Sequence, residues 1–135
     1  MRQFARILAL SLLTTVLPTA ATAATVAPKD PSIVGHWVMH LYIGTRVFED
    51  EVTVKVGPDG KLGGTLVVPD RFTVPLDKVE LKGETFVLEI TADEGQGPFR
   101  VRYEGTFHPT GDTFVGFATV LGENSLLGGF VGQRR

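Results

Sequence analysis

Short segments in which apolar and polar residues alternate fill most of the chain after residue 32. Residues 52–56 alternate strictly and stop at residues 57–60, where proline and glycine favour a turn. A period of two residues is that of a β-strand with one buried face, and no segment of this region keeps a helical period. The pattern predicts about eight or nine antiparallel strands, each beside its neighbour in sequence. Besides a first strand that opens at Gly35, the further predicted strands cover residues 62–68, 72–76, 79–81, 86–90, 99–103, 113–121 and 126–133.

A row of antiparallel strands has two exposed edges, which small all-β proteins protect by closing the sheet or by packing two sheets together. Glycines fall inside several predicted strands, where they weaken the strand unless the backbone bends sharply. They are Gly63, Gly64, Gly105, Gly116, Gly128 and Gly129. Sharp bends favour a closed up-and-down β-barrel of about eight strands. A small sandwich with bulges at these glycines is the alternative.

The first 23 residues have the order of a secretory signal peptide. Arg2 and Arg6 precede an apolar run over residues 7–17, and small residues follow up to Ala23. An apolar run of about 11 residues is too short for a bilayer-crossing helix, which needs roughly 20. We therefore predict cleavage near Ala23, a leader over residues 24–32 and one domain over residues 33–135. The domain is expected in the periplasm or secreted, without spanning a membrane.

Composition and charge exclude several classes of protein. The chain has no cysteine, which removes disulfide scaffolds, thiolate zinc sites and cysteine nucleophiles. Without Arg2 and Arg6 the exported chain keeps 11 basic and 15 acidic residues, a net charge of −4. A negatively charged protein is poorly suited to a phosphate backbone, so nucleic acid is not an expected partner.

Two short motifs at the ends of the domain resemble those of the lipocalin group of β-barrels. The first strand opens with Gly35-His36-Trp37, the Gly-x-Trp pattern of that group, and the last strand holds Phe130-Val131-Gly132-Gln133-Arg134. The resemblance implies a lipocalin-like barrel of the kind found in small exported bacterial proteins. It also implies that Gly35, Trp37 and Arg134 close the barrel, with Arg134 or Arg135 laid over the indole. A guanidinium over an indole contributes about 1 kcal/mol of cation–π attraction.

Alternation from Trp37 assigns an inner and an outer face to each predicted strand. Candidate ligand-lining residues on the inner face are Met39, Phe86, Leu88, Val101, Tyr103 and Phe107. Phe114 and Phe117 are further inward candidates, and a barrel with all these rings inside would leave little free volume. Arg100 and Arg102 fall on the outer face, and such a charged exterior argues against an outer-membrane barrel.

Histidines and acidic runs are the candidate metal ligands, and their spacing favours surface roles. His36 and His40 lie four residues apart on a predicted strand, which separates their side chains by about 13 Å, too far for one zinc ion. Residues 49–51 and 93–94 are acidic but lack the spacing of a calcium loop. We interpret both acidic runs as solvated hairpin charge. No metal site is expected.

Catalytic residue types are equally sparse. Ser125 lacks the flanking glycines of a nucleophile elbow, so a serine hydrolase is not indicated. Arg100 and Arg102 share an outer face and could hold an anion, but cross-strand pairing with Glu89 or Glu104 is the interpretation that we favour. The chain therefore offers no catalytic or cofactor-binding motif, and we do not expect an enzyme.

The function that follows is that of a non-catalytic exported β-barrel. The lipocalin resemblance implies that it binds a small apolar molecule in its mouth or interior. The alternative is a protein-binding module, such as an inhibitor of a secreted protease or an envelope assembly partner. Such a module would use its loops, for example residues 93–98 or the hairpin at residues 46–51.

Overall fold

The computed structural model describes residues 32–135, so the predicted signal peptide and nearly all of the predicted leader lie outside the described residues. Nine β-strands and their connections make up this region, which contains no helix. The strands are β1 Gly35–Ile43, β2 Arg46–Val56, β3 Leu62–Val68, β4 Phe72–Pro75, β5 Lys78–Lys82, β6 Thr85–Asp93, β7 Pro98–Phe107, β8 Thr113–Leu121 and β9 Ser125–Arg134.

The nine strands form one sheet in which strands that are neighbours in sequence pair antiparallel, apart from β4 and β5. The first strand also pairs with the last, which places Trp37 opposite Arg134. The order across the sheet is β4-β3-β2-β1-β9-β8-β7-β6-β5. The predicted all-β, antiparallel, up-and-down architecture is therefore confirmed.

Strands β4 and β5 are the two edges of the sheet, so the strand pairing does not close on itself. These edges are nevertheless consecutive in the chain and are joined by residues 76–77. The Leu76 amide donates to the carbonyl oxygen of Gly64 on β3 at 2.9 Å, and the Asp77 amide donates to that of Glu89 on β6 at 2.8 Å. Residues 76–77, which link the two edge strands, therefore hydrogen-bond to the strand beside each edge: Leu76 to β3, beside β4, and Asp77 to β6, beside β5.

The core lies on the face of the sheet that Trp37 occupies. At the Trp37 end it is a cluster of aromatic rings whose contacting pairs have centroids 4.9–6.3 Å apart. Such pairs add about 1 kcal/mol each to the free energy gained by burying their area. The rings belong to Trp37, Phe86, Phe107, Phe114 and Phe130.

Phe117 departs from the predicted inner face. Its side chain is 48% exposed, whereas Phe114 on the same strand is buried. The two residues are three positions apart, and an odd spacing on a strand puts side chains on opposite faces. The expectation that both rings face inward is therefore wrong for Phe117.

Gly64 and Gly105 show why glycine is required inside strands of this sheet, since other atoms occupy the space of a side chain. At Gly64 the backbone has φ of +153°, and a Cβ would overlap the carbonyl oxygen of Thr53 on the neighbouring strand. At Gly105 the ring of Phe86 lies where a Cβ would be. Both glycines therefore serve close approach, one of backbone to backbone and one of backbone to an aromatic ring.

Candidate functional site

Arg134 covers the Trp37 end of the interior. The guanidinium carbon of Arg134 lies 4.2 Å from the centroid of the Trp37 ring, and the ring itself is 1% exposed. A Cβ at Gly35 would lie 2.6 Å from Nη1 of Arg134, so glycine at this position leaves room for the guanidinium. The structure thus brings Gly35, Trp37 and Arg134 into one contact. Arg135 points elsewhere and pairs with Glu51 at 2.9 Å.

Hydrogen bonds at this end also fix the segment that precedes β1. Nε1 of Trp37 donates to the carbonyl oxygen of Ile33 at 2.8 Å. Arg134 donates from Nη1 to the Val34 carbonyl at 2.8 Å and from Nη2 to the Ser32 carbonyl at 2.6 Å. Packed aromatic rings fill the interior at this end.

A cavity of about 190 Å³ lies at the opposite end of the strands, where β1, β3 and β6 finish and β2, β7 and β9 begin. Its wall is mainly apolar, with aromatic rings from three strands. The lining residues are Leu41, Phe48, Asp50, Val68, Arg71, Phe72, Ile90, Glu94, Phe99, Val101, Tyr103 and Leu127.

Asp50 is the buried acid of this cavity. It lies on β2 opposite Met39, is 1% exposed, and its Oδ1 has no hydrogen-bond partner among the described residues. Burial raises the pKa of its carboxyl from 3.8 to about 6, although the positive charge of Arg71 opposes the rise. The interpretation of residues 49–51 as solvated charge is therefore wrong for Asp50. Glu49 and Glu51, which alternate with it, do lie on the outer face.

Arg71 and Glu94 form an ion pair at the rim of the cavity. Nε and Nη2 of Arg71 donate to the two carboxylate oxygens of Glu94 at 2.6 and 2.5 Å. The guanidinium carbon also lies 5.4 Å from the ring centroid of Phe48 and 5.8 Å from that of Phe72. The pair joins the β3–β4 turn to the end of β6, so it fixes two loops around the cavity.

Tyr103 supplies a neutral polar group to the wall. Burial raises the pKa of its phenol above the usual value of 10.0, the charge of Asp50 raises it further, and Arg71 opposes both. The phenol therefore stays protonated at any physiological pH. It is a hydrogen-bond donor and acceptor on a mostly apolar surface.

No family model matches the chain, and comparison with curated proteins and with solved structures finds no similar protein. No relative therefore supports the lipocalin resemblance, and the structure itself shows an all-β, antiparallel, up-and-down sheet that is compatible with a β-barrel.

Two of the six predicted ligand-lining residues line the cavity, and the other four do not. Val101 and Tyr103 line the cavity. Met39, Phe86, Leu88 and Phe107 are buried in the core outside it. Sequence reasoning assigned Asp50 and Glu94 to solvated acidic runs and gave Arg71 no role. Asp50 had a usable signal, since it is two positions before inward Val52 on an alternating strand.

The two histidines of β1 have separate partners on β2. Nδ1 of His36 lies 2.9 Å from Oγ1 of Thr53, and Nε2 of His40 lies 3.3 Å from Oε2 of Glu49. Within residues 32–135, no three histidine or acidic side chains come together as a metal site would require.

The outer-face arginines bind an acid rather than remaining free. Arg102 donates from Nε and Nη2 to Oε1 of Glu89 at 2.9 and 2.7 Å, and Arg100 donates to Oε2 at 3.1 Å. Burial raises the pKa of Glu89, but the hydrogen bonds and charge of Arg102, with the charges of Lys78 and Arg100, outweigh burial and lower it. The predicted cross-strand pairing is confirmed, with Glu89 as the acceptor.

The described residues also contain no helix of the length and apolarity needed to cross a membrane.

Proposed function

We propose that this protein is an exported, non-catalytic, lipocalin-like β-barrel that binds a small, mainly apolar molecule in the cavity beside Asp50. The observation that carries the proposal is the contrast between the two ends of the interior. Rings pack the Trp37 end, whereas a cavity of about 190 Å³ lies at the other. An apolar cavity with a few polar groups is the usual form of a small-molecule site.

A closed barrel is the geometry that best accounts for the edges. Residues 76–77 hydrogen-bond to β3 on one side and to β6 on the other. Strands β4 and β5 would then be two halves of one bent strand that seals the barrel, which gives eight strands around the interior. Eight strands enclose a space just wide enough for side chains or one small ligand.

The size of the cavity restricts the ligand. An apolar cavity of about 150 Å³ in another protein holds benzene, whereas drug-sized ligands occupy roughly 300–1,000 Å³. A cavity of about 190 Å³ therefore fits a single substituted ring or one end of a longer molecule.

The polar groups of the cavity support binding over catalysis. Arg71 and Glu94 are engaged with each other, and the phenol of Tyr103 is neutral. Oδ1 of Asp50 has no hydrogen-bond partner among the described residues that could act as a second acid or base. Acid–base catalysis usually needs such a partner. Export rests on the signal-peptide order of residues 1–23.

Titration with 2-phenylethanol, followed by ¹H–¹⁵N NMR, tests the proposed function. We expect saturable shifts at the backbone amides of Asp50, Ile90 and Val101. Leu127→Trp places a large ring in the cavity and should abolish the shifts. Leu126→Trp is the matched control, because Leu126 is exposed and outside the cavity lining. Absence of saturable shifts, or equal binding by both tryptophan variants, would overturn the proposal.

One observation favours the alternative of a protein-binding module. Large apolar side chains are exposed side by side on the outer face of β1, β2, β8 and β9, where strand pairing brings them together. They are Tyr42, Val47, Val115, Phe117 and Val131. A stoichiometric partner that is lost on double substitution of Val115 and Phe117 by serine, together with a silent cavity in the NMR titration, would favour this alternative.

A further inference from the structure

Oδ1 of Asp50 is a buried polar atom with no hydrogen-bond partner among the described residues. Most buried polar atoms in folded proteins have at least one hydrogen-bond partner, because leaving one without costs free energy. Oδ1 of Asp50 is buried without one, and Asp50 lines the cavity. A carboxylate oxygen can only accept, so the group that completes it must be a hydrogen-bond donor.

The charges around the cavity leave one negative charge unbalanced. Its charged lining residues are Asp50, Arg71 and Glu94. The two hydrogen bonds between Arg71 and Glu94 make that pair neutral, so ionised Asp50 gives the cavity a net charge of −1. A cation would balance this charge, whereas an anion would first have to displace Glu94 from Arg71.

The aromatic wall is also suited to a cation. Phe48, Phe72, Phe99 and Tyr103 line the cavity, and aromatic faces attract cations within about 6 Å of the ring centre. The rings of Phe48 and Phe72 already carry the guanidinium of Arg71 at 5.4 and 5.8 Å. A carboxylate among aromatic rings is a chemical environment that holds an alkylammonium group.

We propose that the cavity takes a small apolar amine, whose ammonium group pairs with the carboxylate of Asp50 while its apolar body contacts the aromatic wall. This inference rests on the proposed binding function and adds the charge class of the ligand.

Binding of an amine requires Asp50 in its ionised form. Burial raises the pKa of this carboxyl to about 6, with Arg71 opposing the rise. Across the interior it faces Arg71 of the β3–β4 turn, Glu94 at the end of β6 and the neutral phenol of Tyr103 on β7. We therefore expect the affinity for an amine to fall about tenfold for each pH unit below about 6.

Three probes of matched shape test the charge class: phenethylamine, 2-phenylethanol and phenylacetate, titrated at pH 7.5 and followed by ¹H–¹⁵N NMR. We expect the amine to bind at least about tenfold more tightly than the alcohol, and the acid to bind least. Asp50→Asn should weaken the amine about tenfold and leave the alcohol within about twofold. Glu49→Gln removes the same charge one residue away on the outer face and should leave all three affinities unchanged.

The outcomes separate this inference from the function on which it rests. Equal affinity for amine and alcohol, tightest binding of the acid, or an Asp50→Asn variant with unchanged amine affinity would overturn the amine assignment while the binding function stands. An affinity for the amine that stays constant from pH 7.5 to pH 5 would overturn it too. If no probe shifts the cavity amides, the binding function fails and the amine assignment fails with it.

Discussion

Replacing Asp50 with asparagine removes the buried charge while keeping the shape of the side chain, so it isolates the electrostatic part of burial. A carboxyl whose pKa is higher in the folded than in the unfolded state holds its proton more tightly when folded. Its contribution to the free energy of unfolding therefore decreases as the pH rises from the unfolded value, 3.8, to the folded value of about 6. The wild-type protein should lose this stability over that range, and Asp50→Asn should not.

The magnitude follows from the two pKa values. A rise from 3.8 to about 6 corresponds to about 3 kcal/mol over the full range, and to about 2 kcal/mol between pH 4.5 and pH 7.5. The buried amide also lacks a partner, but that penalty does not depend on pH and cancels between the two conditions.

Urea denaturation of both proteins at pH 4.5 and pH 7.5 measures the effect. Between these conditions the stability of Asp50→Asn, relative to wild type, should rise by about 2 kcal/mol. Groups that titrate identically in the two proteins drop out of this difference. A relative stability that is constant with pH, or that falls as the pH rises, would show that Asp50 is not destabilised by burial.

Three further substitutions test contacts outside the cavity. Arg134→Met removes the cation over Trp37 and its hydrogen bonds, so we expect about 2 kcal/mol less stability and a red-shifted Trp37 emission; unchanged values in a fluorescence-monitored denaturation contradict this. Gly64→Ala forces a Cβ onto a backbone oxygen and should cost about 3 kcal/mol or prevent folding, whereas Gly63→Ala, with open space around its Cβ, should change stability by less than about 1 kcal/mol; equal melting temperatures would refute this. Glu89→Gln should cost about 1–2 kcal/mol at pH 7. Because the folded pKa of Glu89 is lowered, that loss should be constant well above pH 4.5 and shrink as the pH falls from 4.5 through the folded pKa, and a gap that does not change between pH 7 and pH 3 would count against the ion pairs.

The inner face of β2 could be predicted from the sequence, including the position of Asp50 on it. Val52 and Val54 are buried, so Asp50 shares their face by the period of two. Treating residues 49–51 as one charged run ignores that period and gives Asp50 the wrong environment. The missing partner of its Oδ1 could not be predicted, because it depends on which side chains lie across the interior.

The Arg71–Glu94 ion pair at the rim of the cavity could not be predicted from the sequence. Arg71 and Glu94 are 23 residues apart in different connections, and each sits among ordinary turn residues. Their pairing depends on how the β3–β4 turn meets the end of β6 in space, which no local pattern contains. The contact at the Trp37 end could be predicted, because Gly35 and Trp37 mark β1 and Arg134 marks the end of β9, which pairs with it.

The pairing of β1 with β9 cannot form until residue 134 has been synthesised. Trp37 leaves the ribosome long before its cross-strand partner Arg134, which follows the whole intervening chain. Contacts between such distant segments slow folding, since a long loop must be ordered first. Until β9 is available, a nascent chain would therefore keep Trp37 and the core phenylalanines accessible to holding chaperones.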